Sequence, residues 1–154
     1  IAYVVPKRQD RSIQLWPCHA DYHIYDSMMY YAMTNDQPRN QHYRVAIEQK
    51  VKDKVVVDIG TGQDFILSRF CLDAGAKRIY AIEAQQEAYQ QAKSKVEKLG
   101  LQDKIILIHG NSTEVSLPEQ VDVCVSELIG MIGSSEGVIP ILNDARRFLK
   151  PNRR

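Results

Sequence analysis

The sequence is short of almost everything that would staple a protein together, seat it in a membrane or draw it to a polyanion. Its three cysteines, Cys18, Cys71 and Cys124, are odd in number and far apart. They give no disulfide framework and suit a reducing compartment, so a cytoplasmic location is expected. There is no signal-peptide core and no apolar run long enough to span a bilayer, and no membrane contact is expected. The formal net charge is +1, which leaves bulk electrostatics neutral on nucleic acid; no direct nucleic-acid binding is expected. Metal ligands are sparse too. Cys18, His19 and His23 lie close together, but without a second cluster they read as incidental and no metal site is expected.

What is present is an ordinary globular composition, 44% hydrophobic and 25% charged over 154 residues. That length is one domain or part of one, able to bury roughly 70% of its unfolded surface. The chain starts IAYVV without methionine and stops at LKPNRR, where a turn should lead into another strand. A piece of a longer polypeptide is expected, truncated before the last strands of its sheet.

Residues 1–20 show no clear period and are punctuated by Pro6 and Pro17. Residues 21–34, rich in Tyr and Met, suit a helix. Asp36-Gln37-Pro38 reads as the N-cap and first turn of another, running to about Lys50. Residues 1–50 are thus an N-terminal segment and helical cap. From 51 to 154 strands and helices alternate: KVVVDIG (54–60), a helix over 63–74 closed by Gly75, RIYAIE (78–83), a helix from Gln85 to Leu99 closed by Gly100, KIILIHG (104–110), VDVCVSE (121–127) and a closing helix over 136–149. KVVVDIG, a continuous apolar run ended by glycine, predicts a strand buried on both faces. The fold class is α/β, a doubly wound parallel sheet with right-handed crossovers.

Ligands of such sheets bind outside the carboxyl ends of the strands, where the strand order switches. Those ends carry Asp58-Ile59-Gly60-Thr61-Gly62, Glu83, Gly110-Asn111-Ser112-Thr113 and Glu127. Gly60 and Gly62 let the backbone turn sharply and approach a ligand closely. A dinucleotide site is one alternative, but Gly62-Gln63-Asp64-Phe65 leaves G-x-G-x-x-G incomplete and Asp64 would repel a pyrophosphate. An acidic glycine turn suits a ligand with a cationic amino-acid portion; a bare strand-to-helix turn stays open. Glu83 could accept both hydroxyls of a ribose or be a solvated strand end. SELIGMIGSSEG, from Ser126 to Gly137, sets Glu127 and Glu136 on a loop of small neutral residues. The pair could hold a cation, bind a polar substrate or shift protons; Glu136 could instead cap the helix that follows.

Together, VVVDIGTG, AGAKRIYAIEA and HGNSTEVSLPEQVDVCVSELIG resemble the class I S-adenosylmethionine-dependent methyltransferases, and within them the protein arginine methyltransferases, over most of Tyr25 to Pro151. The resemblance implies a Rossmann-like core with S-adenosylmethionine as cofactor and S-adenosylhomocysteine as product. It implies that Asp58, Gly60 and Gly62 line the methionine end, Glu83 takes the ribose hydroxyls, and Ser112 and Thr113 meet the adenine edge. Thr61, Ala84 and Asn111 complete the cofactor-binding set. MTNDQPRNQHYRVAI (33–47) resembles the family's helical cap, which places Arg39 on the cofactor carboxylate. Glu127 and Glu136 match a double-glutamate loop that clamps a guanidinium in line with the sulfonium methyl.

Some residues depart from the family pattern. Leu128 and Met131 stand where a tryptophan and a tyrosine are usual, Gly133-Ser134-Ser135 replaces bulkier residues, and the glycine motif has one extra residue before Ile66. The family's barrel, dimerisation arm and histidine loop would lie beyond Arg154, and any dimer with them. YDSMMYYAM (25–33) reads as an aromatic lid or as a helix packed by its apolar side. The leading expectation is methyl transfer to nitrogen of protein arginine. The alternatives are a small-molecule or carrier-bound acceptor methylated on oxygen or nitrogen, a non-catalytic binding subunit and, last, a dehydrogenase.

Overall fold

The structure is a computed structural model that describes residues 4–6, 13–15, 27–129 and 137–151. Strands β1 (Val4–Pro6) and β2 (Ile13–Leu15) pair antiparallel. They fall in the stretch without a clear period, because three residues are too few for alternation to register. Helices α1 (Ser27–Asn35) and α2 (Gln37–Glu48) follow. Asp36 caps α2 as expected: its carboxylate accepts the Arg39 N–H at 3.0 Å, with Pro38 in the first turn.

The parallel sheet holds β3 (Val55–Ile59), β4 (Arg78–Glu83), β5 (Ile105–His109) and β6 (Val123–Ser126) in the order β5-β4-β3-β6. Helices α3 (Ile66–Asp73) and α4 (Gln86–Lys98) make the first crossovers. After β5 the chain returns to the other side of β3, then enters α5 (Val138–Ala145) and a 3-10 turn, Arg146–Phe148. The order therefore switches between β3 and β6.

Strand alternation builds two cores. Val56, Ile79 and Ala81 pack with Phe70, Cys71 and Val96 beneath α3 and α4, joined by Ile47 of α2. Val55, Val57, Ile59, Tyr80 and Ile82 pack with Ala145 and Phe148 on the opposite face. Full burial of a Val or Ile side chain stabilises by about 1.5–3 kcal/mol, so these clusters hold the helices more than helix propensity does. Val121 anchors the end of the second cluster. Its N–H donates to the Phe148 carbonyl at 2.8 Å, and the Lys150 N–H donates back to the Val121 carbonyl at 3.0 Å.

One boundary differs in an informative way. The helix expected over 63–74 begins only at Ile66, because Gln63-Asp64-Phe65 form a turn. Phe65 takes a left-handed backbone, φ 40° and ψ 44°, and buries its ring. Aromatic residues rarely adopt that conformation; here the buried ring anchors it. Cys71 is buried and Cys124 half-buried, both as free thiols. Cys18, His19, His23, Met131, Gly133-Ser134-Ser135 and Glu136 lie outside the described residues.

Candidate functional site

At the switch point β3 ends and the chain turns through Gly60-Thr61-Gly62. Gly60 (φ 73°) and Gly62 (φ 68°) are left-handed. A Cβ on Gly60 would stand 3.0 Å from Leu128 Cδ2, and one on Gly62 3.0 Å from Tyr30 Cε1. Glycine is thus required twice over, by backbone conformation and by space. The N–H groups of Gly60 and Thr61 donate to the Ile82 carbonyl at 3.0 and 3.1 Å, which locks the turn to β4.

Asp58, on β3 just before this turn, is fully buried. Its Oδ2 accepts from the Thr61 hydroxyl at 2.7 Å, the Ser68 hydroxyl at 2.7 Å and the Ser68 N–H at 3.1 Å. Its Oδ1, the other oxygen, has no partner. Burial pushes the carboxyl up to about 6, against the hydrogen bonds from Ser68 and Thr61, and the charge of Glu83 adds to the rise. An orphaned buried acceptor costs about 1–3 kcal/mol, which a cationic donor at Oδ1 would recover.

Glu83 closes β4. Its Oε2 accepts from the Gly62 N–H and its Oε1 from the Gln85 N–H, both at 2.8 Å. The carboxylate is held rigidly, yet each oxygen keeps lone-pair capacity for another donor. On the β5 side, the Gly110 N–H donates to the Glu83 carbonyl at 3.0 Å. Asn111 Oδ1 then accepts from the Thr113 N–H and hydroxyl at 3.1 and 3.0 Å, a side-chain turn. Ser112 is buried, while Thr113 and Ala84 are exposed. Arg147 of the 3-10 turn secures this loop, donating to the carbonyls of Ser112 and Val115 at 2.8 and 2.7 Å.

Glu127 follows β6 directly, and the pairing of Ile59 with Ser126 sets it beside Gly60. Its Oε2 accepts from Arg39 at 2.9 Å. Arg39 also donates to Asn40 Oδ1 at 2.9 Å and lies 5.1 Å from the centre of the Tyr43 ring. Burial raises the Tyr43 phenol above its ordinary value; Glu127 raises it further and Arg39 opposes.

Asp58, Gly60, Thr61, Gly62 and Glu83 therefore form one connected unit. Arg39 and Glu127 meet each other beside it, and Asn111, Ser112 and Thr113 follow the strand on its other flank. Two features were not anticipated, Ser68 pinning Asp58 and the pairing of Asp64; the Tyr30 ring against Gly62 falls in the 25–33 stretch read as a lid or as a packed helix. Asp64 accepts from Lys95 Nζ at 2.6 Å and from the Thr34 hydroxyl at 3.1 Å. The charge read from the sequence as repelling a pyrophosphate is thus already engaged. Ser68 had a legible signal, a hydroxyl in the first turn of the helix that leaves the acidic strand; Tyr30 and Lys95 act across distances that periodicity does not encode.

This arrangement, a parallel sheet with an acid-and-glycine turn at its switch point and a carboxylate closing the next strand, defines a Rossmann-like core whose candidate ligand site lies at that switch point. The family model described as PRMT5 arginine-N-methyltransferase matches residues 12–154. The chain belongs to this arginine N-methyltransferase family. It is 45% identical over 123 residues to probable protein arginine N-methyltransferase 6 of Arabidopsis thaliana, covering 77% of this chain and 28% of that protein. It is 42% identical over 123 residues to the histone-arginine methyltransferase CARMER of Drosophila persimilis, covering 78% and 23%. Among solved structures, protein arginine methyltransferase 10 of Arabidopsis thaliana, described in a uniquely open conformation, superposes with a TM-score of 0.74 at 33% identity, covering 82% of this chain and 37% of that one. The Trypanosoma brucei PRMT1 enzyme–prozyme heterotetrameric complex with AdoHcy superposes with a TM-score of 0.73 at 32% identity, covering 82% and 40%. The chain thus spans less than half the length of each of these proteins.

Proposed function

We propose that this chain carries the S-adenosylmethionine site of a protein arginine methyltransferase, with methyl transfer to a guanidinium nitrogen. The observation that carries the reading is the unit of Asp58, Gly60, Gly62 and Glu83 beside Glu127 at the switch point. The orphaned Oδ1 of Asp58, the two positions where a Cβ would collide and the spare acceptors of Glu83 all suit the cofactor. Family membership and the AdoHcy complex of the Trypanosoma brucei relative support the same ligand.

When bound, S-adenosylmethionine supplies an electrophilic sulfonium methyl. Asp58, Gly60, Thr61 and Gly62 hold the methionine end, with Asp58 Oδ1 free to accept from its ammonium. Glu83 would accept from the ribose hydroxyls, Ser112 and Thr113 would meet the adenine edge, and Ala84 and Asn111 would complete the cofactor-binding set. Arg39, which donates to Glu127 at 2.9 Å, would hold the cofactor carboxylate and in doing so leave Glu127 to the acceptor. Glu127 and Glu136 accept from the acceptor guanidinium and aim one nitrogen at the methyl carbon. The enzyme–prozyme heterotetramer of the Trypanosoma brucei relative supports oligomerisation, for which a dimer is the expected form.

Calorimetric titration of S-adenosylhomocysteine, beside Glu83→Ala, tests the cofactor site; binding that the variant loses is the expected result. Methylation of an arginine peptide by the intact protein, beside Glu127→Gln, tests the acceptor. Undiminished transfer by that variant would overturn the role given to Glu127.

A further inference from the structure

Helix α1 lacks the burial that fixes its neighbours. None of its described side chains is buried, and Met28 and Tyr31 stand 74% and 69% exposed. Helix α2, by contrast, sinks Ile47 into the first core. Helix α1 meets the glycine turn through Tyr30, whose ring lies over Gly62, and through Thr34, whose hydroxyl donates to Asp64 Oδ2 at 3.1 Å. Tyr30 and Thr34 are four residues apart and so share one face of the helix.

Asp64 is itself held from the far side. Its Oδ1 accepts from Lys95 Nζ of α4 at 2.6 Å, and the same ammonium donates to the Gln63 carbonyl at 3.2 Å. Phe65, next in the chain, buries its ring and fixes the turn by its left-handed backbone. Beyond Thr34 the restraint continues. Asn40 Nδ2 donates to the Thr34 carbonyl at 2.8 Å, and Arg39 donates to Asn40 Oδ1 at 2.9 Å. One polar chain, Lys95–Asp64–Thr34–Asn40–Arg39, therefore runs from α4 to the guanidinium that faces Glu127.

We propose that Asp64 is a positioning residue for the cofactor site, a latch that joins Thr34 to Lys95 and holds α1 and the start of α2 against the glycine turn. The inference rests on the cofactor reading above and goes beyond it. It assigns a role to the turn that carries the extra residue of this chain's glycine motif. Without the latch, ordering α1 over the turn would be charged against ligand affinity. With it, Tyr30 and Arg39 are in place before the ligand arrives.

The test is hydrogen exchange over residues 27–35 of the intact protein, with S-adenosylhomocysteine affinity measured by calorimetry on the same samples. Thr34→Val removes the hydroxyl at nearly constant volume, Lys95→Met removes the charge behind Asp64, and Thr34→Ser keeps the hydroxyl. Thr34→Val and Lys95→Met are expected to speed α1 exchange and to weaken affinity about five- to tenfold, as loss of a hydrogen bond to a charged group would. Thr34→Ser should stay close to the parent, and the melting temperature should move little because these side chains are part-exposed. Parent-like affinity in Thr34→Val, with or without faster exchange, overturns the positioning role and leaves the cofactor reading standing. No binding by the parent protein overturns the cofactor reading itself, so the two failures are distinct.

Discussion

The guanidinium of Arg39 and the carboxylate of Glu127, 88 positions apart in the chain, lie 2.9 Å from each other. Each holds the place of the other's proposed ligand: the Glu127 carboxylate stands where a cofactor carboxylate would meet Arg39, and the Arg39 guanidinium where an acceptor guanidinium would meet Glu127. On the proposed reading, filling the cofactor site would free the acceptor site. Glu127→Gln should leave S-adenosylhomocysteine affinity unchanged or up to about threefold tighter, while arginine methylation falls by about a hundredfold or more, as expected on losing a charged partner in a shielded site. Arg39→Ala should weaken the cofactor by about tenfold. Calorimetry and a peptide methylation assay separate the two effects.

Asp58 sets a pH dependence. Its folded value of about 6 lies above the ordinary 3.8, so folding favours the protonated form. That contribution to stability is fully present below 3.8 and is lost as pH rises through about 6. Cofactor binding should run the other way, because the ionised carboxylate is the better acceptor for an ammonium. S-adenosylhomocysteine affinity is expected to rise between about pH 5 and pH 7, and Asp58→Asn should flatten both profiles. A parent profile already flat over that range would remove Asp58 from the ligand.

Gly60→Ala is expected to cost about 1–3 kcal/mol, from a left-handed alanine and a Cβ 3.0 Å from Leu128 Cδ2. Adding Leu128→Ala should return only the steric part. The test is a double-mutant cycle by denaturant unfolding, in which strict additivity of the two changes would sink the packing argument.

Phe148 is a stability site of the second core, with the Arg147 guanidinium 4.2 Å from its ring centre. It is 3% exposed in the second core, and Phe148→Ala should lose about 3–5 kcal/mol. Chemical denaturation should show a lower midpoint with an unchanged slope.

The sheet was readable from the sequence because its signals are local. VVVDI, RIYAIE and IILIH are unbroken apolar runs, each followed within a few residues by a glycine or a helix start, and Asp36-Gln37-Pro38 announces its helix by capping chemistry alone. The polar ends of those strands were readable for the same reason: in a parallel sheet the end of a strand is where a side chain can face a ligand. The pairs Arg39–Glu127 and Asp64–Lys95 were not readable, because they depend on how elements far apart in the chain pack together. The turn at Gln63-Asp64-Phe65 escaped for another reason. Its residues carry helix-compatible character, and only the burial of Phe65 makes a left-handed backbone tolerable there.

The contacts of Arg147 give the loop after β5, proposed to meet adenine, an unusual dependence. The carbonyls of Ser112 and Val115 are set by a guanidinium 35 and 32 positions downstream, on the 3-10 turn. A transplant of the proposed nucleoside pocket into another scaffold could not stop at Thr113, its last proposed cofactor residue. The portable unit extends through Arg147, and a shorter graft would carry every ligand-facing residue yet leave one wall of the pocket without its brace.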